Sequence, residues 1–302
     1  MSHSQPPSPI VPTTAASTSR MIVLDLDGTL ISRSHEVSPA DLSAVERARS
    51  AGLFVTICTG RSTRESMGIL SQLKLQGEGV FVTGATISDL STGGTIFSRG
   101  LSPELVAELT DFFSGFGHAV LLLVDPPAPD AQIHYVITSH GPVHAATQEW
   151  LVRNKMHASL MDERSACRAG TVLRAGIVVN LNESAAIIEQ LTAKFAGRIS
   201  FLALRAPLFD CHVIEVFAAD VNKWTGVKKL CSRMGIPAES VAAVGDDVND
   251  ISMLRGATMS YAMGNATAEV QAAAKRITLP QSQNGVAAAI DRILRDNAAA
   301  HS

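Results

Sequence analysis

Met21-Ile-Val-Leu-Asp25-Leu-Asp27-Gly28-Thr29-Leu30 is the stretch on which the reading of this chain turns. Four apolar residues are too few for a helix and suit a buried strand. Two aspartates and a glycine then end the strand in a turn, because Asp bonds its own backbone there and Gly reaches turn conformations. Downstream, Ser38-Pro39-Ala40-Asp41 reads as a helix start: the serine caps, the proline fits the first turn, and the acid suits the positive end. Leu42, Val45 and Ala48 keep helical spacing up to Gly52. A second apolar strand, Leu53 to Cys58, ends in Thr59-Gly60-Arg61, and a helix from Arg64 to Lys74 leads to a third strand, Gly79 to Val82. Strands alternating with helices imply crossover units and a parallel sheet.

The rhythm then changes. Ile87 to Phe97 reads as a hairpin turning at Gly93-Gly94, and Ser102-Pro103 caps a helix. Strands are expected near Ala119 to Val124, Ile133 to Thr138, Val172 to Asn180, Ile199 to Arg205 and Cys211 to Phe217, with helices at Ala145 to Arg153 and Glu183 to Ala196. From Lys223 the alternation returns: a helix to Met234, the strand Val241 to Val244, then Gly245-Asp-Asp-Val-Asn-Asp250, and a closing helix from Gly285 to Arg295. The expected fold is α/β, a Rossmann-like parallel-sheet core with an inserted α+β cap domain. Residues 21–87 and 220–302 would form the core and 88–219 the cap. Residues 1–20 are rich in Ser, Thr and Pro, with no acid and one Arg, and read as a disordered tail rather than a targeting peptide.

Composition narrows the function classes. The chain has 302 residues, 46% apolar and 18% charged, which suits folded domains. Its net charge of −3 leaves no basic excess for a nucleic-acid backbone, so no nucleic-acid partner is expected. The longest apolar runs, such as Ala119 to Val124, are too short to span a bilayer, so no membrane partner is expected either. Four cysteines, Cys58, Cys167, Cys211 and Cys231, form no CxxC pair and read as buried, reduced thiols of a cytoplasmic protein.

In an open parallel sheet, ligands bind at the carboxyl ends of the strands. Here those ends offer Asp25 and Asp27, then Thr59, Gly60 and Arg61, then Asp246, Asn249 and Asp250, with Lys223 opening the helix before the last strand. Carboxylate oxygens suit Mg²⁺, which takes one or two carboxylates beside a substrate phosphate. A threonine hydroxyl and backbone N–H groups around a glycine suit phosphate oxygens. Each piece alone is an ordinary turn or surface charge. Their occurrence together, each after an apolar strand, points to a phosphate-and-magnesium pocket.

Asp25-Leu-Asp-Gly-Thr-Leu30, Thr59-Gly-Arg61, Lys223 and Gly245-Asp-Asp-Val-Asn-Asp250 resemble the four signature motifs of the haloacid-dehalogenase-like superfamily. The likeness is closest to its Cof-type branch, whose large cap lies between the second and third motifs. Ala262-Met-Gly-Asn-Ala266 and Asn284-Gly-Val286 also resemble Cof-type segments. The resemblance implies a phosphatase of small phosphorylated metabolites. Asp25 would be the nucleophile and Asp27 the acid and base. Mg²⁺ would be held by Asp25, Asp246 and the Asp27 carbonyl. Thr59, Gly60, the Leu26 amide and Asn249 would hold the phosphoryl group. Lys223 would neutralise charge between nucleophile and phosphate, and Asp250 would orient Lys223 or a metal-bound water.

Some positions depart from the family. Thr83-Gly-Ala85 stands where Asn-Gly-Ala is usual and the Asn faces the substrate. Trp224 follows the motif lysine in place of Gly, and is expected to narrow the site or stiffen the cap hinge. Ala218 and Asp220 stand where a Pro and a Gly are common. In the cap, Arg205, His212 and His134 are the candidates for substrate contact. Two other readings stay open: a phosphomutase of the same superfamily, and a non-catalytic phosphometabolite-binding regulator.

Overall fold

A computed structural model describes residues 18–32, 36–126, 133–138, 141–206 and 210–300. The tail expected at 1–20 lies outside these except for its last three residues. In chain order, the first core elements are β1 (Met21–Leu24), α1 (Pro39–Ser50), β2 (Phe54–Ile57), α2 (Thr63–Leu73), β3 (Glu78–Phe81), β4 (Thr86–Asp89) and β5 (Thr95–Ser98). The inserted part follows as α3 (Pro103–Ser114), β6 (Leu121–Asp125), β7 (Tyr135–Ile137), α4 (Ala145–Arg153), β8 (Ala158–Leu160), α5 (Glu163–Ala169), β9 (Thr171–Asn180), α6 (Leu181–Phe195), β10 (Ile199–Ala206) and β11 (Cys211–Ala218). The chain then completes the core with α7 (Lys223–Met234), β12 (Val241–Gly245), α8 (Ile251–Gly256), β13 (Met259–Ala262), α9 (Ala268–Ala273), β14 (Arg276–Ile277) and α10 (Gly285–Ala300).

The core sheet is parallel, in the order β14-β13-β12-β1-β2. β1 and β12 sit at its centre and every residue in them is buried, as expected of strands covered on both faces. Beyond β2 the sheet continues through a Cys58–Val80 bridge to β3. α1 starts as its sequence implies: Ser38 Oγ accepts from the Asp41 N–H at 3.1 Å. Asp41 in turn accepts from the Ala287 N–H at 2.8 Å and fastens α1 to α10. Strand hydrogen bonding carries β4 and β5 with β3, on the core side of the inserted sheet.

The inserted sheet runs β10-β11-β9-β6-β7-β8 and is antiparallel except for β7–β8. Its two faces follow the period-2 alternation of strand side chains. On β6, Leu122 and Val124 join Phe113, Leu191 and Phe195 in a core under the cap helices. Leu121 and Leu123 turn the other way, into an apolar cluster shared with the Rossmann-like core. On β11, Ile214 and Val216 face the helices, while Phe217 faces the core. Glu215, between Ile214 and Val216, therefore faces the core as well. Two elements had no counterpart in the sequence reading: β8, which forms an edge of the cap sheet, and α5, which packs against α3, β6 and β9. Cys58, Cys211 and Cys231 are buried free thiols, whereas Cys167 is only partly buried. Among the described residues no helix is long and apolar enough to cross a membrane.

Candidate active site

The carboxyl ends of β1, β2 and β12 converge beneath the cap sheet. Asp25, Asp27, Thr59, Gly60 and Asn249 line one cleft of about 630 Å³ between core and cap. Lys223 lies below its floor with no exposed surface. Its Nζ donates to Asp25 Oδ1 and to Asp250 Oδ1, each at 2.6 Å. Asp250 Oδ2 accepts the N–H groups of Asp246 and Asp247, both at 3.0 Å. Asp250 is thus fully engaged in holding Lys223 and shaping the turn after β12. Lys223 meets the cleft through Asp25, and Leu26, also fully buried, shapes the turn by accepting from Thr29 and Ile31.

Burial pushes the Asp25 carboxyl well above the usual range, and the Asp250 charge adds to this against the pull of Lys223. Asp246 is pushed up to about 7, again chiefly by burial and then by Asp250. For Lys223 burial works to lower the pKa, but Asp25 and Asp250 outweigh it and hold the ammonium charged.

Several residues without an assigned role on the sequence position this centre. Thr29 Oγ1 donates to Asp246 Oδ1 at 2.8 Å. Asn265 Nδ2 donates to the Gly28 carbonyl at 3.0 Å and Asp246 Oδ2 at 3.3 Å. Asn265 follows β13, so its place at a strand's carboxyl end was the available signal. Gly28 has φ +79°, and a Cβ there would stand 2.1 Å from Asp246 Oδ2, so only glycine lets the two strand ends approach. Arg61 clamps Asp27 with two hydrogen bonds, Nε–Oδ2 at 2.6 Å and Nη2–Oδ1 at 2.5 Å.

The substitution of Thr for Asn at position 83 has a structural cost. Val82, Thr83 and Gly84 all have positive φ, and for the two β-branched residues this is a strained conformation. Backbone bonds from Val82 N–H to Arg61 O and from Thr83 N–H to Thr59 O hold the run in place. A methyl built on Gly60 would lie 3.5 Å from Asn249 Nδ2 and 3.6 Å from Thr83 Oγ1, so both side chains surround the Thr59–Gly60 turn. Thr83 Oγ1 and Asn249 Oδ1 are buried without a hydrogen-bond partner among the described residues.

The other candidates lie elsewhere. Trp224 packs α7 against Gly256 of α8 and belongs to an apolar cluster under the sheet, and it does not line the cleft. Asp220 pairs with Arg99 at 2.9 Å. Arg205 pairs with Asp210, and His212 bonds Ser184 Oγ at 2.8 Å. His134 bonds Ser62 Oγ at 2.9 Å, joining β7 to the start of α2, and burial holds its pKa down at about 4. None of these three lines the cleft. The cap instead contributes Trp150, Arg153, Asn154, Met156, Arg174, Leu204 and Glu215.

One oxygen from each of Asp25, Asp246 and Asp250 lies within 4.8 Å of the others. Asp250 is bound by the Lys223 ammonium and two backbone amides, whereas the Asp246 oxygens accept from the neutral Thr29 and Asn265 side chains, so Asp25 and Asp246 are the carboxylates better placed to take a cation. Two carboxylates brought together at neighbouring strand ends fit a hard divalent ion with oxygen ligands.

Strand-end carboxylates, a buried lysine and a sheet-built cap over a shared cleft define a capped α/β enzyme of the phosphoryl-transfer kind. The sequence profile of the haloacid dehalogenase-like hydrolases matches residues 22–290. The chain belongs to that family, and within it to the phosphatases, the phosphoric monoester hydrolases. It is 30% identical to the 5-amino-6-(5-phospho-D-ribitylamino)uracil phosphatase YitU of Bacillus subtilis, over 88% of this chain and 94% of the relative. It is 26% identical to the HMP-PP phosphatase of Yersinia pseudotuberculosis, over 83% and 86% of the two chains. A solved haloacid dehalogenase-like hydrolase from Bacteroides thetaiotaomicron superposes with a TM-score of 0.72 at 26% identity, covering 91% of this chain and all of that one.

Proposed function

We propose that the protein hydrolyses a small phosphorylated metabolite through an aspartyl phosphate on Asp25. The observation that carries this reading is the contact of Lys223 with Asp25, a buried cation 2.6 Å from a carboxylate that faces the cleft. The Asp25 oxygen attacks phosphorus as the bond to the leaving oxygen breaks, and Asp27 supplies that oxygen's proton. Water then attacks the phosphorus of the aspartyl phosphate, Asp27 takes its proton, and inorganic phosphate leaves with Asp25 regenerated. Arg61 occupies both Asp27 oxygens, so passage of a proton through either requires one of those bonds to open. Lys223 offsets repulsion between the Asp25 carboxylate and the phosphate. Thr59 Oγ1, the Gly60 and Leu26 amides, Asn249 and the unpartnered Thr83 hydroxyl are the groups that would receive the phosphoryl oxygens. Mg²⁺, held by Asp25, Asp246 and the Asp27 carbonyl, would supply charge neutralisation at the transferring group.

The cap residues then surround the leaving group. The named relatives act on a ribitylaminouracil phosphate and on HMP-PP, so metabolites of that size are the substrate class proposed here. The test is Asp25→Asn, which keeps side-chain volume while removing the nucleophile. Phosphate release from p-nitrophenyl phosphate should vanish while circular dichroism stays native. Appreciable turnover by a clean preparation of this variant would sink the covalent mechanism.

A further inference from the structure

Across the cleft from the acidic turn, the cap sheet presents an ion pair for which stability offers no account. Arg174 on β9 and Glu215 on β11 meet at 2.5 Å, with side chains 11% and 12% exposed. Arg174 also donates to the Tyr135 hydroxyl at 3.3 Å. A buried ion pair is often no more stabilising than packed apolar residues, and the flanking residues Ala175, Ile214 and Val216, on the helix-facing side of the same strands, are apolar. The pair faces the cleft, beside Trp150, Met156 and Leu204. Trp150 is braced edge-on by Tyr135, with ring centroids 5.3 Å apart at 82°.

These features specify a ligand chemistry. The pair is balanced in charge, Glu65 lines the same cleft, and Arg153 nearby is itself paired with Glu149 at 2.6 Å, so among the described residues the cap leaves no uncompensated cation there for a second anionic group. The guanidinium fork presents donors directly beside a carboxylate that presents acceptors. A neutral ring edge carrying a carbonyl next to an N–H answers both. The indole of Trp150, with Met156 and Leu204, gives such a ring an apolar wall.

We propose that Arg174, Glu215 and Trp150 form the leaving-group subsite, and that it takes a neutral nitrogen heterocycle with an adjacent carbonyl and N–H. This rests on the phosphatase reading of the cleft. The test compares kcat/KM for uridine 5′-monophosphate with that for ribose 5-phosphate, the same sugar phosphate without a ring. Wild-type enzyme should favour the ring by at least roughly tenfold. Trp150→Ala, at a partly buried helix position, should lower that ratio several-fold while circular dichroism stays native. In Glu215→Gln the amide oxygen stays on Arg174 and its NH₂ replaces the acceptor offered to the ring, so the ratio should fall again. Equal turnover of both esters by the wild type, or a ratio unchanged in Trp150→Ala, overturns the subsite while leaving the phosphatase reading intact. Failure of the wild type to release phosphate from either ester or from acetyl phosphate overturns both.

Discussion

Replacing Lys223 by Met should leave a chain that folds less stably and catalyses nothing measurable. Lys223 has no exposed surface, and its ammonium bridges two buried carboxylates at 2.6 Å each. Removing one partner from a buried ion cluster costs about 3–5 kcal/mol, because the remaining charge keeps its desolvation penalty and loses its compensation. Against a typical domain stability of about 5–15 kcal/mol this is a large fraction. With a urea m-value of about 3 kcal/mol/M, the midpoint should fall by roughly 1–2 M. The chain has two tryptophans, so a Trp150→Phe background leaves Trp224, on the same helix as Lys223, to report core unfolding by fluorescence. The loss should depend on pH. The folded-state pKa of Asp25 is raised, first by burial, so its neutral form stabilises the fold below the ordinary carboxylate range and that contribution is lost as pH rises through the folded value. Without Lys223 the folded value rises further, so the gap between variant and wild type should widen as pH climbs from the wild-type folded value toward that of the variant. Adding Asp250→Asn removes one orphaned charge and should recover at least about 1 kcal/mol. A Lys223→Met protein within about 1 kcal/mol of wild type at pH 8, or a gap that Asp250→Asn does not narrow, would refute the electrostatic account of this cluster.

Two further outcomes follow from the same geometry. Thr83→Gly should raise thermal stability, because relief of the left-handed strain, about 1–3 kcal/mol, exceeds the roughly 0.5–1 kcal/mol entropic cost of glycine, yet KM for phosphate esters should rise several-fold as the unpartnered hydroxyl is lost; a variant with unchanged KM would remove Thr83 from the site. Asp246→Ala should lose most activity in limiting Mg²⁺ and recover part of it in excess, while exhaustive EDTA silences the wild type; full activity after chelation would exclude the proposed metal role.

The local grammar of the chain carried a large part of this structure. The apolar runs ending in Asp25, Cys58 and Gly245 announced parallel strands with polar carboxyl ends, because a strand covered on both faces has to be apolar until it leaves the sheet. The serine caps at Ser38 and Ser102, and the place of Lys223 at the head of a helix, were equally local. The meeting of Asp25, Thr59, Gly60 and Asn249 in one cleft follows from a topology rule, since parallel strands put all their carboxyl ends on one side. What lay beyond the sequence was decided by packing between distant elements. Arg174 and Glu215 are 41 positions apart and meet only because β9 pairs with β11 in a register that turns both toward the core. Arg205, His212 and His134 were candidates on the sequence, and their strand faces and local partners direct them elsewhere. Asn265 and Thr29 gained their roles when β13 and β1 flanked β12 closely enough for both to reach Asp246. Spacing along a chain specifies which residues share a strand end or a helix face. Which faces then oppose one another across a cleft depends on register, twist and the burial of the largest apolar surfaces, and those are properties of the assembled fold.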